Sequence, residues 1–346
     1  SDVDRHVLCF GSNPLGSSTF DPLLIRWSSQ ESVTDWTPTA TNTAGDIRLS
    51  QGSEIVTAIR TTRQILVFTE NSLHSVQFVG APFIFGTALI GTNVRIAGPN
   101  TAIAVNDIVF WMGQENFYLY DGRIQTIPCS VREYVFNDIN RNQSFKFFSG
   151  SLSSNSEVWW YYCSASSDEI DRYVIYNYLE QVWYYGTLTR TAWNDRGAGN
   201  RLFPQAPGTD GALYNHENGL DDGSVNPPVA VNAFVQSADF DIGDGQQFML
   251  INRILPDLNF GQSTATEPEV KFTMGARNFS GSVAGQGSAS GDVTRTSVVS
   301  GNDNYTKQLH MRLRGRQMNL KVESDTTGVK WRLGAPRLDM RPDGRR

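Results

Sequence analysis

Two neighbouring segments between Gly52 and Pro128 share one layout, and this repeat constrains the fold more than any other feature of the sequence. Each segment has a short apolar strand, a polar break, a strongly apolar strand, a tight turn and an aromatic strand. The turns are Glu70-Asn71 and Glu115-Asn116, about 45 residues apart, which is the period of four-stranded propeller blades. A plain antiparallel meander has the same spacing, so a β-sandwich stays open as the alternative.

The remaining sequence up to residue 225 contains related units. The stretch 147–186 is rich in Trp and Tyr and includes the strand-like run Glu157–Cys163, and a weaker unit spans 190–225. Runs of β-branched and aromatic residues between Gly, Asn and Asp turns are typical of antiparallel strands. We therefore predict an all-β protein in which residues 1–225 form a β-propeller-like domain of four or more units.

The pattern changes after Asn226-Pro227-Pro228, where longer strand-like runs begin. These runs predict a C-terminal β-sandwich over residues 226–346. A Gly- and Ser-rich stretch at 280–304 is expected to be a long flexible loop or an extended hairpin. The Gly- and Pro-broken stretch Gly80–Asn93 is expected to be an ordered loop, either exposed as a contact surface or buried, and a short helix is expected at Val131–Asn140.

The sequence carries no signature of catalysis. It has no nucleophile elbow, phosphate-binding loop or zinc-binding motif, and none of the four histidines lies within ligand spacing of another or of a cysteine. The three cysteines, Cys9, Cys129 and Cys163, are expected to be buried free thiols. No apolar run reaches the 18 residues of a spanning helix, so we expect no membrane insertion. We predict a protein that is not an enzyme and uses no metal or cofactor.

Charges are unevenly distributed along the chain. Residues 305–346 contain 11 Lys and Arg against 4 Asp and Glu, whereas residues 1–304 contain 18 against 31. Arginines alternate with apolar residues in the basic end, which on a strand places the guanidinium groups on one face. We expect them to bridge carboxylates of a neighbouring acidic subunit, with nucleic-acid phosphates as the alternative. The candidate interface residues are Arg312, Arg314, Arg316, Arg332, Arg337 and Arg341.

The aromatic residues of the stretch 147–186 have two interpretations. Alternating aromatic residues on strands usually pack in a core and across neighbouring strands. Exposed rings can instead act as flat stacking platforms for sugars or bases. The residues concerned are Trp159, Trp160, Tyr161, Trp183 and Tyr185.

Short motifs with Trp, Gly, Asp and Arg recur along most of the chain. They are Arg26-Trp27-Ser28, Asp35-Trp36, Gly52-Ser53-Glu54-Ile55, Phe117-Tyr118, Asp121-Gly122, Arg314-Gly315-Arg316, Trp331–Gly334 and Arg337–Arg345. Together these motifs resemble tail proteins of tailed bacteriophages, in particular the nozzle or DNA-stabilisation proteins of short-tailed phages. The motifs are structural and not catalytic.

This resemblance implies a hexameric nozzle below the portal and adaptor rings, with propeller domains around a DNA channel. We therefore expect a structural component of the virion tail, forming an oligomeric ring that conducts and retains genomic DNA and contributes to its ejection. Expected partners are copies of the same chain, other tail proteins such as adaptor, portal or fibres, and DNA that passes without specific contacts. The alternative is a carbohydrate-binding, host-receptor β-propeller or another tail or baseplate component.

A conduit for DNA should not bind the DNA tightly. Each phosphate contact adds affinity, whereas a wall of the same charge as DNA prevents sticking. We therefore expect acidic side chains at turn tips to face the channel. The candidates are Asp121, Asp168, Glu169, Asp221 and Asp222.

Overall fold

The chain folds almost entirely into antiparallel strands. The computed structural model describes residues 4–196, 202–243, 245–279, 293–301 and 308–344. Strands hold 48% of the residues and helices 4%, which confirms the predicted all-β class. Contacts divide the chain into two compact units, an N-terminal unit at Ser1–Glu217 and a C-terminal unit at Asn218–Arg346.

Strands β1 to β17 belong to the N-terminal unit. In order they are Leu8–Ser12, Asp21–Trp27, Gly45–Arg48, Ile55–Arg60, Ile65–Thr69, Ser72–Gly80, Ile84–Thr92, Ala102–Val105, Ile108–Met112, Phe117–Tyr120, Ile124–Ile127, Phe148–Leu152, Glu157–Tyr162, Arg172–Asn177, Val182–Thr187, Gln205–Pro207 and Leu213–Asn215. Helix α1 at Arg132–Asn137 confirms the predicted short helix, and a 3₁₀ helix follows at Arg141–Lys146. No described helix is long and apolar enough to cross a membrane.

Each sheet of the N-terminal unit is a meander of strands that follow one another in the chain. β1–β3 form the first sheet, β4–β7 the second, β8–β11 the third, β12–β15 the fourth and β16–β17 the fifth. The turns Glu70-Asn71 and Glu115-Asn116 join the second strand to the third in the second and third sheets. The repeat seen in the sequence therefore corresponds to two successive four-stranded sheets.

The middle sheets of this unit are buried on both faces. In β5, Val67 packs into a core shared with the first sheet, whereas Leu66 and Phe68 pack into a core shared with the third. In β9, Trp111 points into that second core and Phe110 into a core shared with the fourth sheet. Successive side chains of a strand point to opposite faces. One strand therefore supplies two cores, and its sequence is a continuous apolar run.

The fourth sheet holds the largest aromatic cluster. Trp160 on β13 is fully buried, and its indole Nε1–H donates to the carbonyl oxygen of Thr101 at 2.9 Å. On the other face of the same strand, the ring of Trp159 stacks on that of Trp193, with centroids 5.2 Å apart. Gly150 on β12 makes room for Trp193, because a Cβ atom at that position would lie 2.4 Å from its ring.

Two expectations for the N-terminal unit differ from the structure. The expected loop at Gly80–Asn93 is wrong, because residues 84–92 form β7 and pair with β6. β7 is the outer strand of its sheet, where Gly and Pro are tolerated because one edge has no partner strand. In the described part of residues 190–217, the predicted weaker unit contains only the two-stranded fifth sheet and a bridge between Asn194 and Gln205.

Strands β18 to β28 belong to the C-terminal unit. In order they are Asp221–Asp222, Val229–Ala230, Ala233–Gln236, Met249–Leu255, Leu258–Asn259, Glu269–Arg277, Val293–Ser300, Leu309–Gly315, Gln317–Ser324, Arg332–Leu333 and Arg337–Pro342. A four-stranded sheet has the order β20-β26-β23-β24, and a three-stranded sheet has the order β25-β21-β28. The pairs β18–β19 and β22–β27 are separate short ladders.

The two larger sheets of the C-terminal unit share one core, as in a β-sandwich. Ile251 and Leu313 of the three-stranded sheet pack with Phe272 and Met318 of the four-stranded sheet. Buried and exposed residues alternate strictly along β25. That alternation shows that only one face of the three-stranded sheet is covered, and it fixes which side chains point outwards.

The C-terminal unit differs from expectation in its boundary. The division lies between residues 217 and 218, and Asn226-Pro227-Pro228 sits in the connection between β18 and β19. Within the stretch predicted to be a long loop or an extended hairpin, residues 293–300 form β24 and pair antiparallel with β23, which agrees with the hairpin alternative there. Residues 280–292 and 302–304 of that prediction lie outside the described residues.

Candidate interaction surfaces

The outward face of the three-stranded sandwich sheet carries five arginines. Met311 and Leu313 of β25 point into the core, so the residues between and beside them point out. Leu250 of β21 lies opposite an arginine on each neighbouring strand. We name this set the arginine face, and it consists of Arg253, Arg312, Arg314, Arg337 and Arg341.

One side of the arginine face is held by an aromatic ring. Arg314 Nε donates to Asp343 Oδ2 at 2.6 Å, and the guanidinium carbon lies 3.9 Å from the ring centroid of Phe248. Arg316 follows β25 and places its guanidinium carbon 4.8 Å from the centroid of the same ring. Such cation–π contacts are worth about 0.5–1 kcal/mol at exposed sites. They orient the two guanidinium groups more than they stabilise the fold.

The other arginines of the face differ in whether they have partners. Arg253 Nε lies 3.2 Å from Asp339 Oδ2, and Arg341 Nε lies 3.7 Å from the other oxygen of that carboxylate. Arg312 and Arg337 are exposed and have no hydrogen bond or ion pair within the described residues. Their charges are therefore available to an external acidic group.

Two predicted interface residues lie outside this face, and one member of the face was missed. Arg316 is half-buried at the corner between β25 and β26, and Arg332 lies on β27 in a separate two-stranded sheet. Arg253 was not predicted, although an arginine within the apolar run Met249–Leu255 is a usable signal. The structure therefore groups Arg312 and Arg314 of β25 with Arg337 and Arg341 of β28, and it adds a fifth arginine from β21.

Asp121 stands in the turn between β10 and β11. Its carboxylate accepts hydrogen bonds from the side-chain nitrogen of Gln125 at 2.8 Å and from the amide N–H of Arg123 at 3.4 Å. These are bonds within the turn, and they hold its conformation. Asp121 also lines a cleft between the second and third sheets.

Asp168 and Glu169 lie in the loop between β13 and β14 and brace the 3₁₀ helix. Asp168 Oδ1 accepts a hydrogen bond from Gln143 Nε2 at 3.1 Å. Glu169 forms an ion pair with Lys146 at 2.6 Å. The hydrogen bond between these two side chains is the main cause that raises the pKa of Lys146. Both acids are exposed, but the negative charge of Glu169 is neutralised locally.

The predicted acids do not form one cluster. Asn100 and Phe148 form a parallel bridge, so β8 and β12 run in the same direction. In a meander, β10 then ends where β8 ends, whereas β13 ends at the opposite end of its sheet. Asp121 therefore lies at one end of the stacked sheets and the Asp168–Glu169 loop at the other.

Asp221 and Asp222 belong to the C-terminal unit, on β18. Asp221 Oδ1 accepts a hydrogen bond from the amide N–H of Gly328 at 2.7 Å, and Asp222 Oδ1 accepts one from the amide N–H of Ser224 at 2.9 Å. Both carboxylates thus accept hydrogen bonds from backbone amides of this unit. The five acids consequently lie on three separate turns or strands in two units.

A polar cleft of about 460 Å³ lies between the second and third sheets, beside the β4–β5 turn and the β8–β9 turn. Gln64 Nε2 donates to Tyr120 Oη at 3.1 Å, and Gln77 Nε2 donates to Gln64 Oε1 at 2.8 Å. Hydrogen bonds from Thr62 lower the pKa of Asp107 at the rim. An acid with a lowered pKa stays ionised at neutral pH and is a poor proton donor. The cleft is therefore a hydrogen-bonded seam between two sheets.

Three of the five aromatic residues considered as stacking platforms are core residues. Trp159, Trp160 and Tyr161 are at most 7% exposed, which confirms the core interpretation for them. Trp183 is half-buried, and its indole Nε1–H donates to the carbonyl of Pro128 at 2.8 Å. Tyr185 is half-buried, with its ring 4.2 Å from that of Tyr134. None of the first three rings has a face open to a sugar.

The tip of the β6–β7 hairpin is apolar and exposed. Phe83 is 76% exposed, and Phe78 and Val79 also reach solvent, whereas Ile84 and Phe85 are buried. The stretch between Glu70 and Arg95 contains no Asp, Glu, Lys or Arg. The stretch was expected to be either exposed or buried. Its tip is exposed, and its base at Ile84 and Phe85 is buried.

The cysteines and buried histidines show no sign of activation. Burial raises the pKa of Cys129 and of Cys163 to about 11, so both are protonated thiols and weak nucleophiles at neutral pH. Cys9 is exposed, so the expectation of burial is wrong there. Burial lowers the pKa of His6 and of His74. Within the described residues, no group of His, Cys, Asp and Glu is arranged to hold a metal ion.

Comparisons with known proteins leave the family open. A scan against protein-family models finds no match to this chain, and a search of curated proteins finds none either. Among solved structures, one match is a chain described as a glycoside hydrolase, which is 10% identical, with 95% of each chain covered and a TM-score of 0.26. A likeness at that TM-score carries no argument about fold or activity.

Proposed function

We propose that this chain is a structural subunit of a bacteriophage tail, part of an oligomeric ring that conducts and retains genomic DNA and contributes to its ejection. The observation that carries the proposal is the stack of meander sheets buried on both faces, next in sequence to a sandwich with an open arginine face. Interlocked sheets give a stiff wall element, and an open charged face gives that element a place to contact a neighbour. The motif resemblance to nozzle proteins points the same way.

We further propose that the stacked sheets are blades of a propeller-like domain. The first strands of successive sheets are in contact, β1 with β4, β4 with β8, and β8 with β12. In a propeller, the first strand of each blade lies innermost, next to the central axis. Consecutive sheets that share a core, as these do, are the second expected feature.

The charge of the N-terminal unit suits a DNA conduit. Residues 1–217 contain 14 Lys and Arg against 21 Asp and Glu, a net charge of −7. A wall of the same sign as DNA lowers the affinity for phosphates and lets the polymer pass. We propose that the ring is a hexamer in the virion tail, with adaptor, portal or fibre proteins as neighbours and DNA as a non-specific passenger.

Electron microscopy of the assembled phage tail tests the proposal. Labelled antibody fragments against this chain should mark a ring around the tail axis, and the purified chain should form rings of the same symmetry. A chain that is absent from tails, or present there as isolated copies off the axis, would overturn it. A glycan array covers the carbohydrate-binding alternative, for which the burial of Trp159, Trp160 and Tyr161 removes three of the five proposed platforms.

A further inference from the structure

We infer that the arginine face docks on the acidic N-terminal unit of a second copy of this chain, in a head-to-tail contact. The inference deepens the proposed function, because it names the surfaces that would join neighbouring copies in the ring. It depends on the sign and position of charges in the two compact units. It can fail while the proposed ring is still correct.

The arginine face carries excess positive charge. Five arginines are accompanied by Asp339 within the face and Asp343 at its rim. The exposed side chains of Arg312 and Arg337 lack any intramolecular partner within the described residues. Unpaired, exposed guanidinium groups on a rigid sheet are preorganised for carboxylates, which they bind through two parallel hydrogen bonds.

The same charge excludes a contact of this face with itself. In a twofold dimer each residue of a patch meets the same patch of the other copy. Arginine would then face arginine, and like charges at close range across an interface cost several kcal/mol. The face therefore requires a different surface, and a contact between two different surfaces generates rings or filaments.

Charge complementarity selects the acidic unit of another copy as that surface. The N-terminal unit has a net charge of −7, with Asp46, Glu54, Glu115 and Glu180 among its exposed acids. The C-terminal unit, by contrast, has 15 Lys and Arg against 14 Asp and Glu over residues 218–346. A second copy thus offers the complementary charge on its N-terminal unit.

The composition of the face favours a protein partner over nucleic acid. Asp339 lies between arginines, where it would repel a phosphate backbone, and Leu250 and the 37%-exposed Leu255 supply apolar contact area. Arginine together with apolar residues is typical of protein–protein interfaces. Surfaces that bind phosphates without sequence preference instead present basic groups free of neighbouring carboxylates.

Charge reversal measures the contact directly. The oligomer distribution of the full chain is determined by sedimentation velocity at low and high salt, for wild type and for the Arg312→Glu/Arg337→Glu double variant. We expect oligomers larger than dimers for wild type at low salt. Association should be at least tenfold weaker in the double variant, and also for wild type at 0.5 M salt, because the Debye length shortens to about 4 Å at that ionic strength. Thermal unfolding should be unchanged in the variant, since neither arginine has an intramolecular partner among the residues that the structure describes.

Arg141→Glu is the matched control. Arg141 is exposed in the 3₁₀ helix of the N-terminal unit, and its replacement changes the total charge by the same amount per site. Its association should stay within twofold of wild type. An equal loss in this control would show that total charge governs association, and it would overturn the inference.

Cross-linking locates the partner surface. A photoreactive benzoylphenylalanine at position 312, in an equal mixture of ¹⁵N-labelled and unlabelled chains, should give mixed-isotope cross-links to peptides within residues 1–217. Cross-links to the arginine face itself, a wild type that stays monomeric at 100 μM under low salt, or salt-dependent binding of a DNA duplex without self-association would each overturn the inference. A ring in phage tails that is indifferent to Arg312 and Arg337 would overturn this contact and leave the proposed function standing.

Discussion

The two units of this chain use the same antiparallel strands but differ in how many faces of each sheet are covered. β5 and β9 in the N-terminal unit are apolar on both faces and separate two cores. β25 in the C-terminal unit alternates buried and exposed residues and borders one core. A sheet covered on both sides has no place for charge, whereas a sheet covered on one side must display its outer residues. The interaction chemistry of the chain is therefore carried where a face stays open.

The largest effect is expected from removing an aromatic side chain from the core that the third and fourth sheets share. Trp160→Ala should lower the free energy of unfolding of the N-terminal unit by about 3–5 kcal/mol, because a buried indole and its hydrogen bond to Thr101 are lost. Scanning calorimetry should show an earlier transition for this unit. Tyr184→Ala, a 44%-exposed aromatic on the outer β15, is the control and should change it little. Equal losses in the two variants would contradict a sheet covered on both faces.

Adjacent residues of β25 test the one-sided sheet. Leu313→Ala should cost about 3 kcal/mol, since the side chain is 2% exposed in the sandwich core. Arg312→Ala, one residue earlier, should change stability by no more than about 0.5 kcal/mol, as for other surface positions. Urea denaturation of the C-terminal unit measures both. Similar costs at the two positions would mean that the outer face is also packed within one chain.

Acid should weaken the N-terminal unit through a buried histidine. Burial lowers the pKa of His74 in the fold below its ordinary value of 6.5, although its hydrogen bond to Gln51 acts in the opposite direction. As pH falls through 6.5, the unfolded chain binds the proton first, so stability is present above that pH and is lost below it. His74→Gln should flatten the pH dependence of the melting temperature between pH 5 and 7. The exposed His310→Gln is the control, and a profile unchanged by His74→Gln would refute the assignment.

The smallest effect is expected from an ion pair on the open face. Arg253→Ala breaks the contact with Asp339, yet exposed pairs of this kind contribute about 0.2–1 kcal/mol, and often less. We expect a change in unfolding free energy near the lower figure by chemical denaturation. A loss of unfolding free energy above about 2 kcal/mol would show that the arginine face contributes substantially to the stability of the fold. The two units would then differ less than the burial of their sheets indicates.

The sequence predicted the strands whose local pattern is strong. The turns Glu70-Asn71 and Glu115-Asn116 and the aromatic run Glu157–Cys163 all correspond to strand connections or strands in the structure. β7 was missed, and a hairpin at β24 was predicted only as an alternative to a loop. Each is a Gly- or Ser-containing strand at the edge of its sheet, where pairing along one edge is enough and apolar alternation is weak.

The arginine face could be predicted only in part, because it joins three strands that are distant in the sequence. Alternation within β25 placed Arg312 and Arg314 together, but nothing local shows that β21 and β28 lie beside that strand. The same limit applies to Arg332, which looks like its neighbours in the sequence and lies on a different sheet. The acids were predicted at turn tips, but Asp221 and Asp222 lie on β18. For the others, the direction of each meander decides at which end of its sheet a turn lies, and residue spacing does not encode that direction.

A sheet that packs against a core on each of its two faces also restricts how such a chain changes over evolution. Removing the whole third sheet would bring the second and fourth together and leave two apolar surfaces that had never been matched. Val67 packs in a core with residues of the first sheet and Phe68 in a core with residues of the third, so substitutions at these nearby positions of β5 affect different neighbouring sheets. Residues that pack together in the interior sheets should therefore change together during evolution. The outer face of the sandwich can vary with the surface that it contacts.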